Sequence, residues 1–256
     1  MRLRQIALVA EALEPVVSDL TDILGLGVCY RDPGVGHFGL ENALFAINGD
    51  FLEVVAPIEK NTAAGRYLER RNGNGGYMVI LQCPDAVAER ARIADLGIRS
   101  VFTIDNPDYM ATHFHPRDLG NILLSIDSVE PEADYRDRMC PWPPGGPDWK
   151  NSDRIGAISG LAGVEIQSLD PADLAALWSR VLQVPVTSNP GSEYMIQLDN
   201  AVIRFAETAD GRGPGVGAID LKAPDHLKIL ERARARGCAL SGDRIMICGT
   251  RMNMTG

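Results

Sequence analysis

Apolar runs of strand length alternate with single amphipathic stretches along this chain. Gln5 to Val9 is the first such run. Val16, Val17, Leu20, Ile23 and Leu24 follow at helical spacing and predict a helix from about Leu13 to Leu24, stopped by Gly25 and Gly27. Three extended pieces come next, Val28 to Arg31, His37 to Ile47 and Phe51 to Ala56, separated by Asp-Pro-Gly and Asn-Gly-Asp turn signals. The plan then repeats. Tyr77 to Gln82 reads as a strand, Ala86 to Leu96 as a helix ending at Gly97, and Val101, Tyr109 to His115 and Ile122 to Ile126 as strands. Between the two units, Thr62 to Arg71 predicts a short helix closed by Asn72-Gly-Asn-Gly-Gly.

The opening motif returns about halfway along without gaps. Gln5-Ile-Ala-Leu-Val and Ile23-Leu-Gly-Leu-Gly-Val are matched by Gly163-Val-Glu-Ile-Gln and Val181-Leu-Gln-Val-Pro-Val, with Leu174 and Trp178 between them. Pro84-Asp85 through Gly97 is matched by Pro224-Asp225 through Gly237. Units of this size cannot bury an apolar face alone and must stack on one another. The third and fourth units fill Gly156 to Glu207 and Gly215 to the terminus. Glu130 to Arg154 breaks the pattern with Pro141-Trp-Pro-Pro-Gly-Gly-Pro-Asp-Trp, which can hold neither helix nor central strand. The expectation is an N-terminal domain over 1–130, a Pro/Trp-rich linker over 131–155 with its tryptophans packed on a domain surface, and a C-terminal domain over 156–256.

The 256 residues are 45% hydrophobic and 23% charged, ordinary for a soluble protein and enough for two cores. No apolar run approaches the roughly 20 residues that span a bilayer, and the start lacks the apolar block of a signal peptide. The expected location is therefore cytoplasmic, with no membrane partner. A net charge of −9 without a basic footprint argues against nucleic acid. Cys29, Cys83, Cys140, Cys238 and Cys248 are scattered and read as thiols rather than a disulfide or zinc framework. The glycines of Asp210 to Gly217 lack the strand-turn-helix setting of a nucleotide loop.

Four strand-helix-strand-strand-strand units in tandem resemble the vicinal oxygen chelate superfamily, the glyoxalase and bleomycin-resistance group. Ile23-Leu-Gly-Leu-Gly-Val, Phe51-Leu-Glu-Val-Val-Ala-Pro and His115-Pro-Arg-Asp-Leu-Gly-Asn carry the resemblance. Phe38-Gly-Leu-Glu-Asn, Thr62 to Arg71 and Gly75-Gly-Tyr-Met are most similar to its glyoxalase-like domain proteins. The resemblance implies an α+β fold of tandem βαβββ modules, two such domains with curved mixed sheets. Each pair of modules would form a cup for a small ligand and, in many members, a divalent metal. Members often dimerise, so a homodimer is the expectation by resemblance.

Carried over position by position, the family's metal ligands fall on Gln5, Glu53, Met78 and Ser125. Of these only Glu53 is a strong donor, and a thioether suits hard cations poorly. The standard ligand set is therefore incomplete. In the second half the same positions hold Gly163, Arg204, Ala218 and Asn253, which make no metal site; that half reads as a fold kept for packing or for a different ligand. One rescue remains open. His113 and His115 lie two apart on an extended strand and share a face, which hairpin pairing would make the face of Ser125. With Glu53 they could form a displaced set for Zn, Fe or Mn. Alternatively His115 shapes the His-Pro turn and His113 is an ordinary strand residue.

A Glu in an apolar cup is pushed toward its neutral form and suits proton abstraction beside a carbonyl; the inert alternative pairs it with Arg31 or Arg66. Arg66 and Arg70 share a helix face and could hold an anion at the cup mouth or simply be solvated. The leading expectation is a lyase or isomerase acting on a small oxygenated, anionic molecule in the N-terminal cup. Glu53, His113 and His115 would be its catalytic groups, with Gln5, Arg66, Met78 and Ser125 binding substrate. The alternatives are a sequestering protein of the bleomycin-resistance type and, if the displaced metal site exists, a metal-dependent dioxygenase.

Overall fold

The computed structural model describes residues 1–130, 133–152, 156–188 and 193–256. The ends of the expected linker, 131–132 and 153–155, fall outside the described residues. The first module comprises β1 (Arg2–Val9), α1 (Leu13–Leu24), β2 (Val28–Tyr30), β3 (Leu40–Ile47) and β4 (Asp50–Pro57). After α2 (Ala63–Arg71) the second comprises β5 (Gly75–Gln82), α3 (Ala86–Asp95), β6 (Ser100–Asn106), β7 (Tyr109–Phe114) and β8 (Leu123–Val129). A segment with one short helix, α4 (Trp149–Ser152), leads to the third module: β9 (Gly160–Ser168), α5 (Pro171–Leu182), β10 (Val186–Ser188), β11 (Tyr194–Gln197) and β12 (Val202–Glu207). The fourth holds β13 (Gly215–Lys222), α6 (His226–Ala235), β14 (Leu240–Ser241), β15 (Arg244–Ile247) and β16 (Thr250–Thr255).

Within each module the first strand runs parallel to the last, and the hairpins between are antiparallel. Modules pair through their first strands, β1 against β5 and β9 against β13, both antiparallel. The result is a mixed α+β architecture of two similar eight-stranded halves. They meet where Val216 of β13 pairs with Gly76 of β5. A Cβ on Gly76 would lie 2.5 Å from that of Val216, so the close join needs glycine there.

Alternation along the strands sorts the two faces. Ile6, Leu8, Leu52 and Val54 join Val16, Val17, Leu20, Ile23 and Leu24 of α1 in the main core. On the opposite, concave face Gln5, Ala7 and Val9 pair in register with Phe51, Glu53 and Val55. That face of the N-terminal half is not open throughout. Cys140, Trp142 and Trp149 of the connecting segment pack into it against Ala7, Ala46, Phe51, Met78 and Ile80.

The segment is therefore a strap across the cup: the tryptophans expected to pack on a domain surface do so on the concave one of the N-terminal half. The concave floor is too apolar around Phe51 and Ile80 to stay wet, and the tryptophans cover it. Arg4, extra in β1 at a register shift, lies under the same rings, 5.1 Å from the Trp142 ring centre and 5.6 Å from that of Trp149.

Two further differences have local causes. His37 and Phe38, expected in a strand, belong to a 3-10 turn over Pro33–Phe38. Pro33 starts that turn and Gly39 at φ 69° ends it. His115 lies beyond β7 and caps the turn Pro116–Asp118. Among the described residues no helix is long and apolar enough to cross a membrane. None of the five cysteines, all among the described residues, is in a disulfide.

Candidate functional site

The concave face of the N-terminal half brings Glu53 between two side-chain amides. Glu53 is 8% exposed on β4, beside Ala7 of β1. Its Oε1 accepts from Asn42 Nδ2 at 2.7 Å and its Oε2 from Gln5 Nε2 at 2.9 Å. Neither amide is free to turn. The oxygen of Asn42 accepts the Asp32 backbone N–H at 2.8 Å, and that of Gln5 accepts the Trp142 indole N–H at 2.9 Å. Both of those groups can only donate, so both amides must present their NH2 to Glu53. Burial raises the Glu53 carboxyl above the usual glutamate range; the two amides pull it back and Asp32 pushes it further up. The arginines considered as inert partners are engaged elsewhere, Arg31 with Glu14 and Arg66 with the carbonyl of Asn61.

Across the same face, His113 of β7 stands opposite Ser125 of β8, as hairpin pairing predicts. Its ring lies 5.1 Å from that of Phe102, which in turn meets Phe38 at 5.0 Å. Burial alone lowers its pKa to about 4, so the imidazole is neutral at physiological pH. Among the described residues nothing hydrogen-bonds to its ring.

Sequence reasoning missed a second carboxyl. Asp127 follows Ser125 by two on β8, is fully buried, and accepts from the hydroxyls of Ser125 and, at 2.5 Å, Tyr109. Burial lifts it to about 7 against those two hydrogen bonds. Burial, and the charge of Asp127, hold the Tyr109 phenol well above its ordinary range. The alternation Ser125-Ile-Asp127 carried the signal: a polar residue two positions along a strand shares its neighbour's face. Asn42 had no such mark, and Trp142 reaches the site only through the path of the strap.

The other expected residues sit as follows. Met78 is 7% exposed and packs with Ala7 and Ile80. Ser125 is wholly buried and bonded to Asp127 rather than open to a ligand. Arg66 is exposed, within electrostatic reach of Tyr77, whose burial raises its phenol to about 12. The displaced metal set of Glu53, His113 and His115 is not assembled. His115 uses Nδ1 to accept the Arg117 backbone N–H at 3.2 Å, and the Glu53 oxygens already face amide donors. Among the described residues no three His, Cys, Asp or Glu side chains converge as a metal would require. The donors that a dioxygenase reading needs are therefore not gathered here.

In the second half the matching face is filled by charge. Arg204 forms a double contact with Asp220, at 2.7 and 2.9 Å, and reaches Glu165 at 3.1 Å; Arg251 bonds the other Glu165 oxygen. Gly163 leaves the room for this: a Cβ there would lie 2.9 Å from Asp220 Oδ2. Asn253 donates to Asp220 at 2.7 Å.

Comparison with known proteins agrees with this architecture. The family model for the glyoxalase-like domain matches residues 6–182. A 4-hydroxymandelate synthase variant from Streptomyces coelicolor matches 93% of this chain and 75% of its own, at 16% identity and TM-score 0.69. A hypothetical protein from Staphylococcus aureus matches 99% and 98%, at 13% identity and TM-score 0.67. A methylmalonyl-CoA epimerase variant from Streptomyces coelicolor, in complex with 2-nitronate-propionyl-CoA, matches 50% of this chain and 97% of its own, at 23% identity and TM-score 0.45. At these identities the likeness is one of fold. No curated protein matches. The chain belongs to the glyoxalase-like domain family of the vicinal oxygen chelate superfamily.

Proposed function

We propose that this member of the glyoxalase-like domain family moves a proton to and from carbon in its N-terminal cup, as an isomerase or lyase of a small oxygenated anion. The observation that carries the proposal is the setting of Glu53: a buried carboxyl whose two oxygens face amide donors that cannot turn away. Burial makes it a stronger base than an exposed glutamate, while the amides keep the charged form available. The carboxylate takes a proton from the carbon beside a carbonyl, leaving an enolate. Return of the proton to another position or face gives isomerisation; loss of a group from the adjacent carbon gives elimination. His113, neutral and without a hydrogen-bond partner on its ring among the described residues, lies on the same concave face and would hydrogen-bond a substrate oxygen. Arg66, exposed and within electrostatic reach of Tyr77, favours an anionic substrate. No step is assigned to a metal, because the described side chains do not gather to hold one.

The test is hydrogen exchange in deuterated water with a panel of small 2-oxo and 3-oxo carboxylates, followed by proton NMR. Loss of the C–H signal beside the carbonyl is expected with the wild type, slowed at least about 100-fold in Glu53→Gln. A specific observation favours the second reading, a binding protein without chemistry: the strap already fills part of the cup around Gln5. Saturation transfer to bound compounds with no exchange would select it.

A further inference from the structure

The strap contributes more than cover. Trp142 is 1% exposed, and its ring lies 6.4 Å from Phe51 and 5.6 Å from Tyr109, so shape alone would hold it. Its one polar side-chain atom is the indole nitrogen, a donor with no acceptor capacity. That N–H meets Gln5 Oε1 at 2.9 Å, and Gln5 Nε2 meets Glu53 Oε2 at 2.9 Å. A glutamine amide has two ends of nearly equal size and opposite function. Without a donor at its oxygen, Gln5 could turn over and present a carbonyl to Glu53. The contact would then suit a protonated carboxyl rather than a carboxylate.

We propose that Trp142 is a positioning residue: the strap delivers its indole N–H to Gln5, and this holds the amide in the one orientation that turns Nε2 toward Glu53. Strap closure and orientation of Glu53's partner are then one event. Asn42 needs no such help, since the Asp32 backbone N–H fixes it within the first module. The N-terminal modules alone therefore carry half of the Glu53 setting, and the strap completes it. The catalytic consequence rests on the reading of Glu53 as a base, but the orientation itself does not.

Side-chain amide NMR on the full chain tests the proposal. In the wild type, the Gln5 NH2 protons should show Overhauser contact with the Glu53 methylenes and not with the Trp142 indole proton; the reverse pattern overturns it without any variant. In Trp142→Phe, which keeps a ring in the same place, exchange of the Gln5 NH2 protons should accelerate at least about tenfold, the effect of losing one net hydrogen bond. Trp149→Phe removes a second ring contact of the same strap and should leave that exchange rate unchanged. Equal acceleration in both variants would assign the effect to packing, and unchanged exchange in folded Trp142→Phe would also overturn the proposal. If C–H exchange is catalysed, Trp142→Phe should lower kcat about tenfold with little change in KM. If it is not, only the proton-transfer reading falls, because the NMR readings involve no substrate.

Discussion

Glu53 and Trp142 are the two ends of one amide: Gln5 accepts from the indole N–H and donates to the carboxylate, each at 2.9 Å. The donors and acceptors in this series alternate without choice from the strap to Glu53.

Glu53→Gln is therefore not a silent isostere. Its new NH2 must face Gln5 or Asn42, both of which already present donors, so one buried donor is left unpaired. The variant should be less stable by about 1–3 kcal/mol, read as a lower urea midpoint with an unchanged slope. Equal stability would mean that one amide can turn, contrary to the geometry.

Asp127 and His113 oppose each other in pH. Unfolding moves Asp127 from about 7 toward 3.8 and His113 from about 4 toward 6.5. Between about pH 4 and 6.5 the folded chain holds the Asp127 proton and not the His113 proton, and the unfolded chain the reverse. The two contributions cancel. Asp127→Asn leaves only His113, so stability relative to wild type should rise with pH, by at most about 1.4 kcal/mol per unit. His113→Gln leaves only Asp127, and stability relative to wild type should fall with pH over the same window. Denaturant titrations at three pH values check both slopes.

Gly146 is held at φ 83°, where a Cβ would lie 2.4 Å from the Tyr30 ring. Gly146→Ala should lift the strap, lower the melting temperature and speed exchange of the Trp142 indole proton. An unchanged indole signal would show that Tyr30 yields instead.

Arg204 is the only cation on Asp220 among the described residues. Arg204→Ala should cost about 3 kcal/mol, the low end for breaking a buried pair, since the arginine is 18% exposed. Arg204→Met with Asp220→Leu should recover most of it, as measured by thermal unfolding. No recovery would mean that the network, rather than the pair, sets the stability.

Much of this protein follows from the order of its residues. Val16, Leu20 and Ile23 mark α1 because helical spacing is a local property, and the return of Gln5-Ile-Ala-Leu-Val as Gly163-Val-Glu-Ile-Gln marks the second half for the same reason. Glu53 was legible as an inward carboxylate from strand alternation, and His113 was placed opposite Ser125 by the hairpin. The metal set failed because alternation tells which face a residue takes within a strand and nothing about where a strand ends. Pro116 ends β7 and turns His115 into a cap. Which face Trp142 covers was not legible: its contact with Gln5 spans 137 positions of chain and depends on how a largely irregular segment crosses a curved sheet. Periodicity determined the modules and their faces, which need only near neighbours. Tertiary structure decided what fills the cup and which way its amides point, because those depend on donors and acceptors far apart in sequence meeting at hydrogen-bond distance.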